Sequence, residues 1–286
     1  MAESGRIEAE LIDVIALVER NVVNGSLSGR RYGHLELVLD CRIEILPAQF
    51  AMIKPRRLAE PLLRRAMAFY RVRNSESQTI VEFIYQIVGR GTDALAGLKP
   101  GEEVAFLGPL GNTFSEGHRD AVLVAGGAGS PALFMLAEEL KRHRRSVRLF
   151  IGGASKGDLC GLSDFEALLG RESITTTTID GSYGIQGLIS QPLENYLSGV
   201  DRSSCEVFSC GPEPMLERVS ELCEQFEVPA QLSLESPMAC GFGICVGCAV
   251  AVKANVAEGF VYKRVCVDGP VFRSDELYSV RTMHNA

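Results

Sequence analysis

Tryptophan is missing altogether from this 286-residue chain, an absence that excludes no function. Positive charge is also scarce: 29 Lys and Arg face 36 Asp and Glu, for a net charge of −7. That balance argues against wrapping nucleic acid and sitting on an anionic membrane, both of which call for a basic patch. The two local basic runs, Arg64-Arg65 and Lys141-Arg142-His143-Arg144-Arg145, are short. The second is expected at the end of a helix, where cations favour the dipole. No long apolar run exists either, since Ala121 to Ala137 is broken by Gly126, Gly127, Gly129, Ser130 and Pro131, so no membrane span is expected. Residues Met1 to Arg6 lack a basic stretch leading into an apolar one, and a cytoplasmic protein is the expectation. Nine cysteines, an odd count, argue against a disulfide framework.

Hydrophobic residues make up 46% of the chain, enough to build a sizeable core across two or three domains. Residues 7 to about 117 read as short strands such as Leu35–Leu39 and Ile80–Val88, punctuated by Gly25, Gly29, Pro47, Pro55, Gly89, Gly91 and Pro100-Gly101. This pattern predicts a closed antiparallel barrel. From Gly117 strand and helix alternate. Strands are expected at Ala121–Ala125, Val147–Ile151, Ile174–Ile179 and Glu206–Ser209, and helices at Ala132–Arg144, Ser163–Leu169 and Pro214–Phe226. The alternation predicts a doubly wound parallel sheet. From Gln231 the chain is Gly- and Cys-rich, and a small module organised around its cysteines rather than an apolar core is expected. The predicted units are 1–117, 118–230 and 231–286.

Five cysteines are scattered, whereas Cys240-x4-Cys245-x2-Cys248 and a lone Cys266 crowd the C-terminus. This is the plant-type [2Fe-2S] spacing, and it differs from the two paired knuckles usual in structural zinc sites. Gly241, Gly243 and Gly247 lie between these cysteines and suit a loop that needs positive φ and backbone N–H groups near sulfur.

Three further motifs are weaker alone. Ala125-Gly126-Gly127-Ala128-Gly129-Ser130-Pro131 joins a strand to a helix, where a pyrophosphate can meet a helix N-terminus; a plain βα turn reads the same way. Ser209-Cys210-Gly211-Pro212 occupies a ligand-binding end of the predicted sheet, although Cys210 also reads as an ordinary buried thiol. Arg65, and Gly91-Thr92 after the strongest strand, can serve a diphosphate or can be a surface arginine and a simple turn.

Taken together, these residues resemble the ferredoxin–NADP reductase superfamily. Within it the chain is most similar to the family of electron-transfer subunits of two-subunit, NAD-dependent dihydroorotate dehydrogenases. The resemblance runs over nearly the whole chain. Its carriers include Pro47–Ile53, Pro61–Arg65, Tyr85–Thr92, Leu107–Asn112, Asp180–Gly184, Cys210–Pro212, Leu234–Cys248 and Val265–Phe272. It implies FAD against Arg65, Ala66, Met67 and Ala68, with Ile84, Tyr85 and Gln86 along its ribityl and phosphate portion and Gly91-Thr92 at its diphosphate. NAD(H) or NADP(H) would meet Gly126, Gly127 and Gly129, with Cys210 and Gly211 near the nicotinamide. A [2Fe-2S] cluster on Cys240, Cys245, Cys248 and Cys266 would meet a partner.

The implied partner is an FMN-containing catalytic subunit oxidising dihydroorotate to orotate, in a heterotetramer, with electrons running through the cluster and FAD to NAD+. The alternatives are a related NAD(P)H:ferredoxin or sulfide-type subunit serving another flavoprotein, and a non-catalytic cluster-binding module. No protein nucleophile or acid–base pair is implied, because the cofactors carry the chemistry. The chain departs from the family pattern at Ala66 and Ala68, where Arg-Pro-x-Ser is usual and the Ser hydroxyl sits by flavin N5, and at Ala125 in place of a glycine. Ser155-Lys156 suits either a ribose 2′-hydroxyl or a 2′-phosphate.

Overall fold

The computed structural model describes residues 11–25, 28–115 and 117–282; the expectation drawn from Met1 to Arg6 lies outside them. The first region is one curled antiparallel sheet. Its strands are β1 (Ile12–Gly25), β2 (Arg31–Leu39), β3 (Phe50–Pro55), β4 (Arg65–Ala68), β5 (Arg71–Asn74), β6 (Thr79–Ile87) and β7 (Glu103–Leu110), in the order β4-β3-β7-β1-β2-β6-β5. Alternation sets the register: Leu35, Leu37 and Leu39 are fully buried while His34, Glu36 and Val38 between them are not. The expected closed barrel is not closed by a strand ladder, because edge strands β4 and β5 do not pair. The two-residue corner Phe69-Tyr70 joins them instead. There Phe69 N–H donates to Gln49 O (3.2 Å) and Tyr70 N–H to Glu82 O (2.8 Å).

Between β6 and β7 a short helix, α1 (Arg90–Ala96), holds Gly91-Thr92, where the sequence allows a diphosphate contact or a simple turn. Thr92 Oγ1 accepts from Val88 N and Gly89 N and donates to Gly89 O. Its capping hydroxyl is what starts a helix on a glycine-rich segment with little propensity of its own.

The second region is the parallel sheet that the alternation predicts. It contains β8 (Asp120–Gly126), α2 (Phe134–Arg142), β9 (Val147–Gly153), α3 (Leu162–Leu169), β10 (Ile174–Thr178), β11 (Ile185–Gln186), α4 (Ser190–Leu197), β12 (Cys205–Cys210), α5 (Glu213–Gln225) and β13 (Ala230–Ser233). Strands β8 and β12 are almost wholly buried, as apolar strands covered on both faces must be. Two details differ from expectation. Gly127–Leu133 is a 3-10 turn containing Pro131, so α2 begins only at Phe134; glycine and an internal proline disfavour an α-helix there. Helix α4 leaves little trace in the sequence, because only Leu193 and Leu197 of its eight residues are buried. Lys141 and Arg142 do sit in the last turn of α2.

The remaining strands are β14 (Ala249–Lys253), β15 (Phe260–Arg264), β16 (Val271–Arg273) and β17 (Leu277–Thr282). Three of them form the sheet β15-β14-β17, while β16 pairs antiparallel with β13 and extends the parallel sheet. Residue 231 therefore falls inside β13. The C-terminal segment also has apolar burial of its own: Val250, Val252, Val265 and Leu277 share one core with Val207, Leu222 and Leu232. Among the described residues no helix is long and apolar enough to cross a membrane.

Asn112 fastens the end of β7 to this last segment. Its Nδ2 donates to Asp268 O (3.1 Å) and Val271 O (2.9 Å), and its Oδ1 accepts from Val271 N (2.9 Å). Asn112→Ala strands these half-buried backbone groups. It is expected to lower stability by about 1–3 kcal/mol, read as a fall in the urea midpoint with unchanged m-value.

Candidate functional site

The curled sheet and the parallel sheet meet along a cleft of about 560 Å³. On the first side its wall is Arg65, Ala66, Met67 and Ala68 of β4, Ile84, Tyr85 and Gln86 of β6, and Thr92. Opposite stand Ala128, Gly129, Pro131, Cys210 and Gly211. Residues separated by some 145 positions in the chain thus form one surface.

Gly91, Gly126 and Gly127 are not on that surface, and the first two have packing roles instead. A Cβ on Gly91 would fall 2.0 Å from Arg65 Nε, so the arginine lies across it. A Cβ on Gly126 would meet Met215 Sδ at 2.6 Å and Pro212 at 2.9 Å. Gly129 is equally constrained, with a hypothetical Cβ 2.6 Å from Gly211 Cα. The turns after β8 and β12 therefore touch backbone to backbone at the carboxyl ends of adjacent strands, where open α/β sheets bind ligands. Gly127 has φ +51° and open space at its Cβ position.

Arg65 Nη1 donates to Leu63 O and Arg64 O at 3.0 and 3.2 Å. Arg64 is drawn off to Asp13 at 2.7 Å. The proton of Thr92 is committed to Gly89 O, so its hydroxyl is not a free donor for a diphosphate. Cys210 is 3% exposed, and burial pushes its thiol far above the ordinary range. It stays protonated and is no nucleophile.

The sequence reading missed the third side of the cleft, formed by Ser233, Leu234, Glu235, Ser236, Pro237 and Met238. Its signal was present, since this stretch leads directly into Cys240. Glu235 presents its surface to the cleft yet is ringed by protein, and the resulting desolvation raises its carboxyl above the usual carboxylate range. Tyr85 Oη and Ser236 Oγ are buried without a hydrogen-bond partner among the described residues. Orphaned hydroxyls beside an apolar cleft fit a polar, ring-bearing occupant such as a flavin with its nicotinamide.

Beyond Met238 the chain forms a loop with little regular structure. Cys240 and Cys245 approach to 3.3 Å between sulfurs, and Cys248 and Cys266 to 3.2 Å. All nine cysteines are free. Among the described residues no three His, Cys, Asp or Glu side chains gather as a group able to hold one metal ion. Two separate thiol pairs suit a two-iron centre, in which each iron takes two cysteines, and do not suit a single tetrahedral zinc. The pairs are near enough that Cys240 raises the Cys266 thiol electrostatically.

The loop also favours thiolate. The Cys248 thiol is lowered to about 6, first by its hydrogen bond with Cys266 and then against some burial. Cys266 is correspondingly raised, because the pair shares one proton. Burial works against Cys240, but the backbone N–H groups of Cys245, Phe242 and Ile244 bring it down to about 7. Gly241 and Gly243 have φ of +82° and +90°, as expected. Gly247 does not take positive φ; its neighbour Val246 does, at +59°. A Cβ on Gly241 would lie 2.4 Å from Met52 Cγ. Met52 of β3 is paired with Ala66 in the cleft wall, so the loop abuts the strand next to the cleft.

Residues 235–278 match the family described as the iron–sulfur cluster binding domain of dihydroorotate dehydrogenase B. The chain is 36% identical over 233 residues to the dihydroorotate dehydrogenase B (NAD(+)) electron transfer subunit of Caldanaerobacter subterraneus subsp. tengcongensis, covering 81% of this chain and 86% of that one. It is 37% identical over 236 residues to the subunit of the same name from Geobacillus thermodenitrificans, with the same coverage. Among solved structures, the fold is like that of an NADH-dependent reduced ferredoxin–NADP oxidoreductase studied for flavin-based electron bifurcation (TM-score 0.77, 24% identity, 92% of this chain and 90% of that one). It is also like the ferredoxin reductase of carbazole 1,9a-dioxygenase (TM-score 0.65, 23% identity, 76% and 67%). With a cleft of this form beside two thiol pairs and relatives this similar over most of their length, the chain belongs to the family of dihydroorotate dehydrogenase B (NAD(+)) electron transfer subunits.

Proposed function

We propose that this protein carries electrons between a partner subunit that oxidises dihydroorotate to orotate and NAD+, in pyrimidine biosynthesis. The observation that carries this reading is the adjacency of the two thiol pairs to the cleft, across the single strand β3. FAD, when bound, supplies the exchange between a two-electron hydride and single electrons, which the protein itself cannot perform.

The roles of the chain's own residues follow from their positions. Arg65 supplies a planar fork for the FAD diphosphate at the end of the β4 wall. Ala66, Met67, Ala68, Ile84, Tyr85 and Gln86 form the bed on which a flavin lies. Gly129 and Gly211 give the nicotinamide nucleotide a close approach to backbone, with the Gly126-Gly127 turn behind them. Cys210 packs as a neutral thiol, and Ala68, lacking a hydroxyl, offers only backbone to the flavin ring. Cys240, Cys245, Cys248 and Cys266 hold the [2Fe-2S] cluster. The three units are 1–117 for FAD, 118–230 for the nicotinamide and 231–286 for the cluster, with the second boundary moved to the end of β13 at Ser233 and β16 of the last unit returning to the second sheet.

Ile244, Val246 and Phe242 are 76%, 56% and 44% exposed around the exposed Cys245. An apolar rim of that kind favours a docked protein over water. It supports a partner at the cluster, which we take to be an FMN-bearing subunit in a heterotetramer. NAD is the preferred nicotinamide on the relatives' names. Nine unpaired cysteines suit the reducing cytoplasm.

The purified complex is expected to reduce NAD+ when dihydroorotate is added anaerobically, followed at the NADH absorbance; failure there refutes the proposal. In that complex Cys248→Ser should abolish the turnover and lower iron below about two per chain while FAD is retained, checked by metal analysis and the visible spectrum. Arg65→Ala should weaken FAD retention by about 1.5–3 kcal/mol, on the order of ten- to a hundredfold in Kd, read by flavin release on dilution.

A further inference from the structure

The two walls of the cleft belong to different sheets, so the gap between them depends on what fixes one sheet against the other. One joint lies two residues along the chain from a lining residue of each wall. Tyr70, two residues beyond the lining residue Ala68, is fully buried in the corner between β4 and β5. Its ring lies 5.0 Å from that of Phe134, the first residue of α2, which is itself two residues beyond the lining residue Ala132. Phe134 packs in turn on Phe165 of α3 at 5.0 Å.

The Tyr70 hydroxyl donates a hydrogen bond to Asp164 Oδ2 on α3. The other oxygen of Asp164 takes the Arg71 guanidinium at 3.2 Å, and that guanidinium lies 4.5 Å over the Phe134 ring. Gly161 makes room for this contact. It is left-handed at φ +74°, and a Cβ there would stand 3.2 Å from Tyr70 Oη.

A second bond repeats the design six residues earlier. Asp158 Oδ1 accepts from Tyr32 Oη (2.8 Å) and Ser28 Oγ (3.0 Å), both on the first sheet's side. Its Oδ2 is held by Ser155 N and Oγ, both at 2.8 Å. The stretch 158–164 of the α/β region is thus pinned at both ends by a tyrosine–aspartate bond from the curled sheet.

We infer that Tyr70 and Asp164 are positioning residues: their joint sets the width of the cleft and so the contact between the nicotinamide and flavin rings. The inference rests on the proposed function for the identity of those rings. In the proposed direction the reduced flavin would give up two electrons and a proton as a hydride to NAD+, and the reverse transfer from NADH, which the test uses, would reduce the flavin across the same contact. The joint makes and breaks no bond in that transfer. It keeps two planar groups at contact distance, where a displacement of about 1 Å costs up to about a hundredfold in rate. The buried aromatic contacts and the bidentate use of Asp164 give this joint rigidity that a lone surface ion pair does not have.

The test uses the full chain loaded with FAD and cluster, as wild type, Tyr70→Phe, Asp164→Asn and the double variant. Each single change is expected to slow flavin reduction at saturating NADH about tenfold. It should also weaken the long-wavelength charge-transfer absorbance of the NADH–flavin pair, with NADH affinity little changed. FAD and iron content should stay at wild-type levels, as should ferricyanide oxidation of the dithionite-reduced protein, which needs no nicotinamide wall. The double variant should be no slower than the slower single one. Amide hydrogen exchange over residues 158–164 should rise in all three variants.

Wild-type reduction rates in the variants, or unchanged exchange over 158–164, would overturn the inference. A slower rate accompanied by loss of FAD would overturn it as well, because the effect would then be general instability. If wild type itself is not reduced by NADH, the functional reading fails, and the exchange measurement still decides whether this joint holds the two sheets together.

Discussion

An electron donor and acceptor must lie close together for transfer to occur, and in this chain one segment meets that demand. Leu234 to Met238 forms a wall of the cleft, and two residues later the same backbone begins the thiolate loop. The loop has almost no regular secondary structure. It keeps its shape through positive φ at Gly241, Gly243 and Val246 and through backbone N–H groups turned toward sulfur. It is braced from outside: Gly241 is pressed on Met52, and Arg264 Nη1 donates to Gly243 O at 3.2 Å. Ordering such a loop costs conformational entropy, and metal binding is the natural source of the compensating free energy.

The α/β region faces a similar constraint on a smaller scale. Two turns can meet at the ends of β8 and β12 only because Gly129 and Gly211 lack side chains. Ser209 Oγ donates to Val124 O at 2.9 Å just below, which locks the two strands side by side. The result is a rigid floor. The fold spends no side-chain functional groups on chemistry there, in keeping with a protein whose cofactors react and whose residues orient them. The buried, protonated Cys210 belongs to that floor.

Much of this was legible in the residues. The apolar strand at Ala121–Ala125 and the helix ending in Lys141-Arg142 depend on local chemistry and match the structure, and the four spaced cysteines come together as two close sulfur pairs. Others were read imperfectly. Gly91-Thr92 reads as a diphosphate contact or a simple turn, whereas the Thr92 hydroxyl caps a helix there. Gly126 looked like a cofactor contact, but it packs on Pro212 and Met215. Glycine records only that a side chain is not tolerated, and the sequence does not say whether a ligand or another part of the protein fills that space.

By itself the sequence determined the sheet types and their order along the chain, because periodicity and glycine placement act over a few residues. It also singled out the four cysteines proposed above as cluster ligands, because their identity and spacing are the chemistry. Tertiary structure alone decided that Ser233–Met238 completes the cleft, that β16 returns to the edge of the parallel sheet, and that Tyr70 and Tyr32 reach Asp164 and Asp158. Those contacts join residues as much as 126 positions apart. No local propensity encodes them; they exist because packing the curled sheet against the α/β layer brings distant polar groups together, where each must find a partner or stay unsatisfied.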